Sequence, residues 1–181
     1  MHGGRSPPWP GGSAATLGMP ARDASWPPIA VTAPSWWEAG SHILSLALAY
    51  ALALPIGWDR ERDARSAGVR TFPLVAIASC GFVLVGIGVL GPSSPAQARV
   101  LEGLITGVGF IGGGAILKHG GQASGTATAA SLWAVGALGA AVGYGLFDIA
   151  LVLSATTFLT LHFSRPLKQV SRDEDGPVEP A

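Results

Sequence analysis

The residues best suited to chemistry are concentrated in one short stretch, Gly57-Trp58-Asp59-Arg60-Glu61-Arg62-Asp63, where carboxylates and guanidinium groups alternate over five consecutive positions. Asp59 with Arg62 and Glu61 with Arg65 stand at the i,i+3 and i,i+4 separations at which helical side chains meet, so opposite signs can neutralise one another. Two readings stay open. One is an ordinary polar boundary at a helix end. The other is a cluster that docks a basic partner or loosely holds a hydrated divalent cation. Gly68-Val69-Arg70-Thr71-Phe72-Pro73 follows closely. Pro73 suits a first helical turn and Thr71 suits the cap, while Arg70 serves either as an interfacial anchor or as an ion-pair partner for Asp59 or Glu61.

A second group is glycine-rich. Gly107-Val108-Gly109-Phe110-Ile111-Gly112-Gly113-Gly114 contains the G-x-G-x-x-G string of a dinucleotide fold. The context refutes that reading, because no strand precedes it and no acidic residue follows at the distance that would bind a ribose. Gly103 with Gly107, and Gly109 with Gly113, repeat every four residues. That spacing makes a flat groove for a neighbouring helix, or a weak helix whose carbonyls line a cavity. Downstream, Thr126, Thr128 and Ser131 can return hydrogen bonds to helix carbonyls, and Trp133 opens a run whose small residues are Gly136, Gly139, Ala140 and Gly143. His42, His119 and His162 fall on different segments, and no serine has a histidine and carboxylate in support, so neither catalysis nor a cofactor is expected. Cys80, the single cysteine, excludes an internal disulfide and a thiolate zinc cluster.

The elements that position these residues follow from composition. Of 181 residues, 11 are basic and 11 acidic, giving no net charge, while 49% are apolar and the mean hydropathy is +0.43. A chain without net positive charge has no field for nucleic acid, and its apolar excess exceeds what a soluble domain of this size buries. Five apolar blocks, at about 41–58, 71–90, 100–117, 126–145 and 146–164, hold Glu102 and Asp148 as their only charges, both near block ends. Each block is long enough for a hydrocarbon core of roughly 30 Å. The last two blocks are contiguous, so the chain reverses at Gly143-Tyr144-Gly145 ahead of Asp148. Four spans with the fifth block on the membrane surface is the alternative.

These patterns define an all-α fold, an integral membrane bundle of about five transmembrane helices. It is preceded by a flexible Pro/Gly-rich segment (1–40) and followed by a polar tail (165–181). Arg60, Arg62, Arg65, Arg70, Lys118, Arg165, Lys168 and Arg172 fall on one side against Arg5, Arg22 and Arg99 on the other. The positive-inside bias then puts the N-terminus outside and the C-terminus in the cytoplasm.

Taken in order, Gly57 to Arg62, Gly68 to Thr71, Arg99 followed by Gly107 to Ile116, and Thr126 to Trp133 resemble the signature of the MgtC/SapB family over roughly 43–165. The resemblance puts weight on Asp59, Arg60, Glu61, Gly68, Arg70, Thr71, Arg99, Gly107, Gly109, Gly112, Thr126 and Trp133. Phe110, Gly114, Gly125, Ala129 and Ala130 also belong to the matching blocks. Asp59 stands where glutamate is usual, Glu102-Gly103 replaces a common Ala-Gln, and Ser124 stands where arginine often precedes the glycine. The resemblance implies a multi-pass protein of the bacterial inner membrane, linked to growth in low magnesium, to virulence in pathogens and, in some members, to restraint of the F-type ATP synthase. It implies no pump, and the cytoplasmic ACT-like domain of longer members has no counterpart in the 17 residues after Ser164. The expected function is regulatory, through contacts with other inner-membrane proteins or with further copies of the chain. The rival is a cation transporter or channel formed by an oligomer, with Glu102 as the residue to test.

Overall fold

The computed structural model describes residues 35–62, 68–119 and 122–174, with side chains described over 35–62, 68–116 and 124–163. Among these residues five helices make the bundle: α1 (Trp36–Glu61), α2 (Thr71–Leu90), α3 (Gln97–Gly114), α4 (Thr126–Gly143) and α5 (Phe147–Glu174). Helices α1, α2 and α4 are long and apolar enough to cross a bilayer, and α5 adds a shorter apolar stretch, Phe147–Phe163. α3 is not among them: Gln97, Arg99 and Glu102 open it, and glycine fills much of its second half. The helical bundle read from the sequence is the observed architecture, with three full-length candidate spans and one shorter apolar helix among the described residues where about five spans are expected.

Element boundaries differ from the expectation where local hydrogen bonding overrides hydropathy. α1 starts at Trp36, inside the segment expected to be flexible, because Ser35 and Glu38 form a reciprocal capping box. The Ser35 N–H donates to Glu38 Oε2 (2.9 Å), and the Glu38 N–H donates to Ser35 Oγ (3.4 Å). At the other terminus α5 continues ten residues past Ser164 as helix. The link from α3 to α4 is a tight hairpin in which β1 (Leu117–His119) pairs antiparallel with β2 (Gln122–Ser124). Gly125 then leads into α4 at φ 87°, a left-handed conformation, and a side chain there would strike the Ala115 carbonyl. The reversal between α4 and α5 falls where glycine predicts it, with Gly145 at φ 75° and Asp148 in the first turn of α5.

α4 is the central element and touches each of the other four helices. Almost every residue from Val135 to Gly143 is buried. Gly136 lies against Val108 of α3, Gly139 against the Ala76 carbonyl and Ser79 of α2, and Gly143 against Val83 and the Cys80 carbonyl of α2. Around these contacts Ile56, Phe72, Val83, Leu132, Val135 and Leu138 are fully buried. Lipid is as apolar as leucine, so it supplies no hydrophobic drive between helices, and close van der Waals approach has to hold them.

The small-residue face expected on α4 is therefore its packing face, whereas the groove expected on α3 meets no neighbour among the described residues apart from Gly112. Of the α3 glycines only Gly112 meets a neighbour: a Cβ there would lie 3.2 Å from the Ala129 carbonyl oxygen of α4. Gly103, Gly107, Gly109, Gly113 and Gly114 face open space. Substitution should separate the two helices sharply. Gly139→Leu is expected to cost about 3 kcal/mol or more, because a backbone carbonyl cannot move aside, while Gly107→Ala stays within about 1 kcal/mol of the parent. Unfolding of the purified variants in detergent or bicelles measures both.

Candidate functional site

The end of α1 turns back into α2 through a set of contacts that fix the charged residues individually. Gly57 lets the two chain segments come together, since a Cβ at this position would lie 3.2 Å from Val69 Cα. Asp59 and Arg60 are both buried, and Arg60 Nη2 lies 3.2 Å from Asp59 Oδ2. The other Asp59 oxygen faces His162 Nδ1 of α5 at 3.7 Å. His162 is half-exposed, stacked on Phe158 and edge-on to Phe163. About two helical turns before Asp59, α5 is also tied to α1, where Ser154 Oγ donates to the Leu52 carbonyl (2.7 Å). Pro55 has no N–H to donate within α1, and this bridge sits in the turn it loosens.

Glu61 acts differently. Its carboxylate, although exposed, accepts the Val69 N–H at 2.9 Å through Oε2 and so latches the connection. Gly68 makes this possible, because any side chain there would occupy the position of the Glu61 carboxylate. The Gly68 carbonyl in turn accepts from the N–H groups of Thr71 and Phe72.

Several expectations for this connection are corrected. Asp59 pairs with its neighbour Arg60, and Arg62 instead lies over the Trp58 ring, 5.7 Å from its centroid. Arg70 is exposed and is not brought to either carboxylate. Thr71 is the first helical residue, and Arg70 occupies the cap position without a side-chain hydrogen bond. Arg65 and Asp63 lie outside the described residues, and with them the expected Glu61–Arg65 pair. His162, about a hundred positions away, is beyond the reach of spacing arguments; its only signal is the aromatic run Phe158-x-x-x-His162-Phe163 on the expected interfacial end of the last helix.

The remaining candidates lie elsewhere. Thr126 is exposed at the start of α4, and the Ser131 hydroxyl donates to the Ala127 carbonyl (2.8 Å) as expected. Trp133 is exposed on the flank of α4, where it lines an apolar groove of about 320 Å³ with Leu101, Ile105, Val108, Ala137 and Tyr144. Arg99 and Glu102 lie exposed on the first turns of α3, and Gly107 and Gly109 are exposed on the same helix. Beside them Gln97, which no motif singles out, is buried: it donates to the Gly91 carbonyl (2.9 Å) and accepts from the Tyr144 hydroxyl (3.2 Å). It thus joins the end of α2, the start of α3 and the end of α4. Among the described residues no group of three or more His, Cys, Asp or Glu side chains is arranged to hold a metal ion.

An apolar helical bundle with a buried charge pair and a latched turn at one end defines a membrane-embedded helical protein. The MgtC family model matches residues 46–170, and the chain belongs to that family. It is 41% identical over 138 residues to protein SrpB of Synechococcus elongatus, covering 70% of this chain and 76% of that protein. It is 38% identical over 135 residues to protein MgtC of Brucella abortus, covering 74% and 56% respectively. Protein MgtC of Salmonella typhimurium is 37% identical over 110 residues, covering 61% and 46%. The chain thus spans about half the length of these MgtC proteins. No solved structure matches.

The latch has a measurable signature. Glu61→Ala removes the acceptor for the Val69 N–H, and Gly68→Ala displaces the same carboxylate, so each is expected to cost roughly 1–3 kcal/mol. Because both act through one hydrogen bond, the double variant should lose little more than either single one, a non-additivity that a double-mutant cycle of unfolding free energies reads directly.

Proposed function

We propose that this chain is a regulatory protein of the bacterial inner membrane, threaded as multiple spans with the Arg60–Arg70 connection facing the cytoplasm, and that it acts by contact with other membrane proteins. By analogy with its family, the setting is magnesium limitation and the control of membrane energy. The observation that carries the reading is the build of the α1–α2 connection. Asp59 and Arg60 are buried against partners inside the fold and Glu61 is tied to the Val69 N–H, while Arg62 and Arg70 are exposed beside it. With the end of α1 and the start of α2 held by these contacts, Arg62 and Arg70 are offered to a partner from fixed helix ends, which lowers the ordering cost of docking there.

The rival reading, conduction of magnesium or another cation, needs ionisable or carbonyl groups aimed into a path at mid-depth. The buried side chains argue against it: among the described residues, apart from Asp59, Arg60 and Gln97, the buried polar groups are the hydroxyls of Ser79, Thr128, Ser131 and Ser154, with no carboxylate among them. The charged side chains of the described residues sit toward the two ends of the helices.

In vivo crosslinking from a photoreactive residue at position 70, in magnesium-starved cells, is expected to trap a discrete membrane protein, with the adduct reduced severalfold by Arg62→Glu. Magnesium flux into proteoliposomes of the purified chain, abolished by Glu102→Gln, would replace this reading with the transporter.

A further inference from the structure

α3 opens on polar and charged residues, and one of its faces is left uncovered among the described residues. Leu104, Val108 and Gly112 point inward, Val108 and Gly112 against α4, while Val100 meets Gly86 of α2. At 3.6 residues per turn, Arg99, Glu102, Thr106, Gly109 and Gly113 gather within about 80° on another side. All five are exposed. Neither Arg99 nor Glu102 forms an ion pair among the described residues, although they stand three positions apart on one helix. The Thr106 hydroxyl is returned to the Glu102 carbonyl (2.9 Å), so it brings no unmet donor to a contact. A methyl group added at Gly109 or Gly113 would meet no atom within 4 Å.

This face is complementary to itself. Two copies inserted in the same direction present α3 in parallel, and a two-fold axis along the helices makes the contact isologous. The centre of the open arc runs between Arg99 and Glu102, so the two side chains flank it on opposite sides. Across the axis, Arg99 of one copy then faces the partner's Glu102, and the pairing occurs twice. Thr106, Gly109 and Gly113 continue down the same line and let the backbones approach. The charges that keep α3 from being as apolar as its neighbours are the ones such a contact would neutralise. An unrelated partner would satisfy these charges only if it carried the same two signs at the same depths, whereas a second copy does so by symmetry.

We propose that the chain forms a parallel homodimer through this α3 face, held by reciprocal Arg99–Glu102 ion pairs above a crossing at Thr106, Gly109 and Gly113. The inference rests on the reading that the chain works through contacts within the membrane, and it names one of those contacts.

Two differently tagged full-length chains, co-expressed and extracted in native nanodiscs, provide the test. Parent chains should co-purify. Arg99→Glu alone puts four carboxylates at the contact and Glu102→Arg alone puts four guanidinium groups there, so each is expected to lower co-purification with itself roughly tenfold or more. Arg99→Glu co-expressed with Glu102→Arg should recover it, as should the double variant with itself. Gly109→Leu, which meets open space in the single chain, should abolish pairing while remaining monodisperse and helical. Single variants that pair as well as the parent, or complementary variants that pair no better than either alone, would overturn the dimer. If parent chains fail to co-purify while the position-70 adduct persists, the dimer falls and the regulatory reading stands; if both fail, both fall.

Discussion

How closely α4 can lie against α2 decides whether this bundle exists. In water a leucine at position 139 would still be drawn inward by the hydrophobic effect, but in lipid that drive is absent and only atomic contact remains. Gly139 places α4 on the Ala76 carbonyl, and Gly143 repeats the contact one turn on, at Val83 and the Cys80 carbonyl. Because α4 also touches α1, α3 and α5, its distance from α2 fixes the room left for the others. The polar groups follow the same constraint. Ser131 is satisfied within its own helix, and Ser154 uses the α1 backbone, so helices pack without leaving donors stranded in an apolar interior.

The charged end depends on this packing. A buried ion pair is at best weakly stabilising, since desolvation offsets most of the attraction, yet removing one member leaves a charge without compensation. The Asp59–Arg60 pair, made between consecutive residues of one helix, therefore compensates two buried charges rather than holding the bundle together. With His162 beside Asp59, α5 is aligned against that terminus, and Ser154 sets its height along α1. Glu61 then needs only one hydrogen bond to turn the chain at Gly68 toward α2. These local contacts together define the approach of three helices.

Sequence patterning was sufficient where a single element determined the outcome. The reversal at Gly143 to Gly145 was legible because glycine is the residue that tolerates φ of 75°, and so long a run of apolar helix could not continue straight. The helical, membrane-embedded class was legible because charge is confined to block ends. Patterning failed where the outcome depended on a second element. Glycines recur every four residues on both α3 and α4, and period alone does not say which set meets a neighbour; the burial of Gly136, Gly139 and Gly143 against Val108, Ala76 and Val83 does. In the same way, helical spacing paired Asp59 with Arg62. It ignored that Asp59 turns inward, where Arg60 and a residue from α5 compete for it, while Arg62 finds the Trp58 ring. The start of α1 was a different omission, since Ser35-Trp36-Trp37-Glu38 carries a readable capping box that hydropathy alone passes over.

The distribution of polar groups also bears on what such a bundle can do. At one end stand Asp59, Arg60, Glu61 and His162; toward the other stand Gln97, Arg99, Glu102, Tyr144 and Asp148. Between them the buried surfaces of α2 and α4 are mainly alanine, valine, leucine and glycine, with Ser79, Thr128 and Ser131 as their hydroxyls. A cation leaving either end would lose its hydration shell against methyl groups, a penalty that a few scattered hydroxyls without a carboxylate do not offset. Contact is a less demanding use of the same architecture. It needs only that the ends be rigid and that some lateral face accept a neighbour, and the Gln97 bridge supplies the second end with the rigidity that the Glu61 latch gives the first. Polar chemistry confined to fixed ends, with glycine-mediated contact between them, is the arrangement that the proposed regulatory reading requires.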